Sequence, residues 1–133
     1  MLSFLYSTKN CKSDITCFDR ALSNERPAKL LTNEDGNFFQ YTLKDCAKDY
    51  CNVEIKILKI REGSSQELVT LFEGKSMNCK IGKSNLSVSY LFKTEETIDY
   101  CSGPLKEAMY ELMLRRLYTV IAKNIGSITS EMR

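Results

Sequence analysis

The chain reads as a single α+β domain: a short N-terminal helix, a four- to five-stranded antiparallel meander and a long C-terminal helix packed across the sheet. Three observations predict this. Apolar residues recur at helical spacing near each end, period-2 alternation fills the middle, and Asn, Asp, Gly and Ser clusters punctuate the middle at hairpin distances. The 133 residues amount to one ordinary domain, able to bury roughly two thirds of the surface the unfolded chain exposes. With 43% hydrophobic and 27% charged residues, the balance is that of a folded domain and not of a disordered chain.

The elements follow in order. Leu2, Phe4 and Tyr6 alternate with other residues in a manner that suits a short strand. The opening stretch from Met1 to Tyr6 is too short for a signal-peptide core and has no basic residues before it. From Ser13 to Leu22 the period becomes helical: Ser13 or Asp14 can cap, Ile15, Phe18, Ala21 and Leu22 form one stripe, and Pro27 lies beyond the stop. Thr32 to Asn37 is turn chemistry, followed by a strand from Phe38 to Leu43. Lys44 to Tyr50 reads as a connection or a bulged continuation.

In the next strand Val53, Ile55 and Ile57 share one parity and Leu58 and Ile60 the other, which predicts a bulge near Ile57-Leu58 or a strand covered on both faces. Glu62-Gly63-Ser64-Ser65 is then expected as a hairpin turn, with Leu68 to Phe72 as the return strand and Gly74 ending it. A second hairpin is expected from Met77 to Ile81, a turn at Gly82 to Asn85, and a strand carrying Leu86, Val88, Tyr90 and Phe92. The tripeptide Gly-Lys-Ser occurs at 74–76 and again at 82–84, but neither copy has the upstream glycine or the following helix of a phosphate loop.

Ser102-Gly103-Pro104 opens the last helix, expected from Pro104 to Asn124, with Gly126 as the stop and 126–133 as a tail. At 100° per residue its apolar positions cover about half the circumference, wider than the usual stripe of roughly 100°. One reading is a helix lying in a deep groove of a twisted sheet, covered on both sides. The other divides the face into an inner edge of Met109, Met113 and Val120 and an outer edge of Tyr110, Leu114, Leu117 and Ile121. Those four outer residues have the i, i+4, i+7, i+11 spacing of a helix-pairing seam, bordered by Arg115 and Arg116.

Histidine is absent, which removes Ser-His-Asp, Cys-His and His-metal arrangements, and the acidic clusters at Glu95-Glu96 and Asp45 to Asp49 look exposed. A non-catalytic protein without cofactor is therefore expected. Cys11, Cys17, Cys46, Cys51, Cys79 and Cys101 each have a polar neighbour and lie near element ends, which favours disulfides and an oxidising, extracellular compartment. A zinc site of Cys46, Cys51, Cys79 and Cys101 would need two compact pairs, and 79 and 101 are too far apart for one. No metal is expected. Asn85-Leu86-Ser87 is a glycosylation acceptor triplet should the chain be secreted.

Partners follow from charge. The net charge of +2 is too small for a strong long-range field, which counts against nucleic acid, and no apolar run is long enough to span a membrane. A protein partner or homodimer, held by the terminal helix or a sheet edge, asks least of the sequence. An RNA-binding alternative would use Lys56, Lys59, Arg61, Lys80 and Lys83 on a basic sheet, with Tyr90 and Phe92 to stack on bases. A secreted, disulfide-bonded ligand or toxin is the third reading.

Overall fold

A computed structural model of the chain describes residues 7–131, and their side chains as far as Lys123. The strand expected around Leu2, Phe4 and Tyr6 lies outside the described residues. The architecture is α+β, with a sheet of six strands in sequential order rather than four or five. Strand β1 (Lys9–Asn10) pairs in parallel with β2 (Ala28–Glu34), and β3 (Asn37–Cys46), β4 (Tyr50–Lys59), β5 (Ser76–Gly82) and β6 (Cys101–Ser102) continue antiparallel.

Helix α1 (Ile15–Ser23) separates the first two strands, and the Asp14 carboxylate accepts the Cys17 N–H at 3.1 Å as its cap. Phe18, Ala21 and Leu22 form its buried stripe, as the spacing predicted. Strand β2 was not expected, since Leu30 and Leu31 are consecutive and blur the alternation. Only Leu30 is buried, in step with Ala28. The β2–β3 reversal is Asp35-Gly36, both with positive φ (56° and 87°), and the Gly36 N–H donates to Asn33 Oδ1 at 2.8 Å. Two successive positive φ values match the right-handed twist of the flanking strands, which is why Asp-Gly occurs here.

Strand β4 carries the expected bulge. Phe38 faces Lys59 and Phe39 faces Ile57, so Leu58 has no opposite number and the apolar phase resets there. A second irregularity falls between Leu43 and Asp45, where Lys44 is the extra residue.

Two expected hairpins are replaced by helices. Residues read as the return strand form α2 (Gln66–Phe72), with Ser65 capping the Leu68 N–H at 3.3 Å. The last strand of the expected meander is instead α3 (Val88–Leu91), where Ser87 caps the Tyr90 N–H at 3.2 Å. In both, a serine that reads as turn chemistry is an N-cap. Val88 and Leu91, three apart, are the buried pair in α3. A 3-10 turn (Lys83–Asn85) precedes α3, and α4 (Thr94–Thr97) and a second 3-10 turn (Ile98–Tyr100) lead to β6. The buried Thr97 hydroxyl donates to the carbonyls of Lys93 (2.8 Å) and Tyr90 (3.1 Å), closing this connection. Helix α5 (Pro104–Glu131) runs through Gly126, so the expected stop there is not used.

One face of the sheet is apolar from β2 to β6. The row Ala28, Leu43, Val53, Cys79, Cys101 crosses five strands in register, and Leu30, Tyr41, Ile55 and Met77 form the next row. All nine are buried, in one cluster with Phe18 and Leu22 of α1, Phe72 of α2, Val88 and Leu91 of α3 and Leu105 of α5. The opposite face carries Lys29, Thr42, Glu54, Asn78 and Ser102 in its equivalent row and is open.

All six cysteines are paired. Cys11–Cys17 fastens the start of α1 to β1, Cys46–Cys51 closes the β3–β4 hairpin at its end, and Cys79–Cys101 joins β5 to β6 at a register pair. The last closes the longest loop, with a sequence separation of 22 against 6 and 5. Chain entropy makes it the most stabilising, at about 3 kcal/mol against about 2 for the short loops. Chemical denaturation of the Cys79→Ala/Cys101→Ala chain should show a loss near or above that figure, because the site is also fully packed, and the Cys11→Ala/Cys17→Ala chain a smaller one. Equal losses would contradict the assignment.

Candidate partner surface and apolar cleft

Helix α5 meets the domain with a narrow stripe. Leu105 and Ala108 are buried, Met109 and Leu112 half-buried, and every side chain from Met113 to Lys123 is exposed. The sequence explains the departure. Continuing the stripe by three and four residues brings Arg115, Arg116, Thr119 and Lys123 to the docked side, where apolar side chains would be needed to keep the helix down. Arg115 instead donates to Glu111 Oε1 at 2.7 Å and to Glu67 on α2, an exposed ion pair that guides the helix but contributes little.

The broad apolar arc therefore points elsewhere. Tyr110, Leu114, Leu117 and Ile121 are 39%, 51%, 52% and 39% exposed. Projected at 100° per residue, the centre of the arc lies about 150° around the axis from the docked stripe. Of the expected inner edge, Met109 faces the domain, Met113 is 59% exposed but lines the cleft between α5 and the sheet, and Val120 is 56% exposed, while Tyr118 extends the outward arc. The reading in which the sheet covers both sides of the helix is excluded for residues 113–123.

Between the inner face of the sheet, α2 and the first turns of α5 lies a cleft of about 430 Å³. Its floor is Phe39, Tyr41, Ile55, Ile57 and Met77, and its walls include Leu68, Phe72, Leu105 and Met109. Arg61 and Arg116 also line it, and no carboxylate does. The backbone N–H of Arg61 donates to Asn37 Oδ1 at 2.8 Å, and its side-chain stem crosses the β2–β3 turn so closely that a Cβ on Gly36 would come within 2.8 Å of its Cγ. On the other side of α2 and α5 a second depression, of about 490 Å³, is lined by Glu67, Glu107 and Glu111 together with Lys75 and Arg115.

The five basic residues considered for RNA do not form one patch. Lys56 and Lys80 stand on the open sheet face, Lys80 over the Tyr50 ring at 5.2 Å. Lys59 pairs with Glu62 (3.8 Å), Lys83 pairs with Glu25 (3.0 Å), and Arg61 turns to the cleft. Tyr90 is on α3, and Phe92, just after it, packs with its ring tilted against Tyr41 of the inner face at 5.4 Å, so neither aromatic shares a surface with Lys56 and Lys80. The cysteines considered for zinc are joined in disulfides. Sulfur atoms of Cys46 and Cys51 do lie with Glu25 in a tight group, but a disulfide offers no thiolate.

Comparison with protein-family models, with curated proteins and with solved structures finds no match. Among the described residues no helix is long and apolar enough to cross a membrane. No local pattern in the sequence marks the cleft, because its residues come from separate strands, α2 and α5, and the apolar run of α2 suits a strand equally well.

Tyr41 offers a test of how the inner face is closed. It is 3% exposed, and burial pushes its phenol well above the ordinary value near 10, with the Glu34 carboxylate adding to the shift. The folded state thus holds the proton more tightly than the unfolded one. The stability this represents is complete below about pH 10 and is lost as pH rises towards the folded value. Alkaline unfolding should become less steep in Tyr41→Phe, and an unchanged alkaline limb would show that Tyr41 is not sealed.

Proposed function

We propose that the protein is a non-catalytic assembly protein that docks a protein partner on the outward arc of α5. The observation that carries this reading is the mismatch between the two faces of that helix. The domain uses only a short stripe ending at Leu112, while a larger apolar surface lies on the far side in solvent. Isolated helices are marginal in water, so a helix that leaves its domain with an apolar face gains most of its stability by packing on something else. The spacing of Tyr110, Leu114, Leu117 and Ile121 suits a second helix, and two copies of the chain meeting arc to arc form the simplest closed pair.

The lack of histidine supports a binding rather than a catalytic role. Three disulfides using every cysteine support an oxidising compartment, and with it a secreted ligand as the form such a binding protein would take.

Sedimentation of the oxidised chain at high micromolar concentration should give a dimer, and Leu114→Lys with Leu117→Lys should give a monomer with the helical and sheet signals of the parent. A parent that stays monomeric would remove self-pairing. A double variant that is soluble but unfolded would show that the arc is core.

A further inference from the structure

We propose that the cleft between the sheet, α2 and α5 binds a single-chain amphiphile with an anionic headgroup, its acyl chain on the apolar floor and its headgroup between Arg61 and Arg116. The volume of about 430 Å³ falls within the roughly 300–1,000 Å³ of small-molecule sites. The interior is the sheet's own core surface, with Ile55, Ile57 and Met77 below and Phe72, Leu105 and Met109 at the sides. Methionine on two sides gives walls that can adjust to a flexible chain.

Charge decides the headgroup. Asn37, Tyr41, Ser64 and Thr94 are the uncharged residues of the lining with polar side-chain atoms, and both charged ones are arginines. Among the described residues neither arginine has an acidic partner within ion-pair distance, whereas neighbouring Arg115 is held by Glu67 and Glu111. Glu67, Glu107 and Glu111 lie on the opposite side of the helix pair, where they line the other depression, and Glu73, at the end of α2, is engaged by the backbone N–H of Ile60 at 3.2 Å. Two planar guanidiniums beside an apolar floor match a carboxylate or a phosphate by forked hydrogen bonds, and would repel a cationic head. The stem of Arg61 is laid over Gly36, so binding loses less side-chain freedom there than at a fully free arginine.

This site is separate from the outward arc of α5, and the test keeps the two apart by using the Leu114→Lys/Leu117→Lys chain, whose arc no longer offers an apolar surface. Isothermal titration below the micelle concentration is run with dodecanoate, dodecyl phosphate, dodecanol and dodecyltrimethylammonium. One equivalent of an anionic amphiphile should bind at least about tenfold more tightly than the alcohol or the cation. Whichever of carboxylate and phosphate binds better identifies the headgroup. Arg61→Gln with Arg116→Gln should erase the preference and leave the alcohol's affinity unchanged, and Met109→Trp should block all four by filling the cleft. Equal affinity for anion and cation would overturn the proposal. So would the absence of saturable one-to-one binding, or a preference that survives loss of both arginines.

Discussion

The row Ala28, Leu43, Val53, Cys79, Cys101, with all five side chains buried on one side of the sheet, dictates where everything else must go. A sheet with one apolar face requires cover on that face alone, and α1, α2, α3 and α5 each contribute apolar residues to it. None of these helices covers it fully. Helices α2 and α3 are of seven and four residues, and α5 contributes only its first turns. The cleft is what this incomplete cover leaves open, at the end of the sheet where β3 and β4 carry the Leu58 bulge.

The same constraint explains the division within α5. Where Leu105, Ala108 and Leu112 face the sheet the helix is held, and where Arg115, Arg116 and Lys123 take over that side it leaves. Its apolar arc is thus unrelated to the domain's own core. A wide apolar helix face is ordinarily assigned to burial within the chain, yet here the apolar residues that pack on the domain are Leu105, Ala108, Met109 and Leu112, a stripe barely noticeable beside the arc.

The elements legible from sequence were those whose pattern repeats for long enough to fix a period. Helix α1, strand β3, strand β4 with its bulge, strand β5 and the start of α5 all belong to this group. Short apolar runs were not legible. Leu68, Val69, Leu71 and Phe72 suit a strand or a helical turn equally, and only the Ser65 cap separates the two. Val88, Tyr90 and Phe92 alternate as a strand would, but the buried residues are Val88 and Leu91, of opposite parity and at helical spacing. The seam residues of α5 were visible as a pattern, whereas the direction they face depended on which side the domain took. The cleft had no sequence signal, since Arg61 and Arg116 are 55 positions apart and meet only through the fold.

The central claim is that α5 is held by its domain only as far as Leu112. Amide hydrogen exchange along α5, measured at low and at high micromolar concentration, tests it directly. In the dilute chain the amides up to Leu112 should be protected and those from 113 to 123 should exchange much faster, with protection of the second group rising as concentration rises. Uniform strong protection from Leu105 to Lys123 at the lowest concentration would contradict it, because the domain itself would then be holding the whole helix.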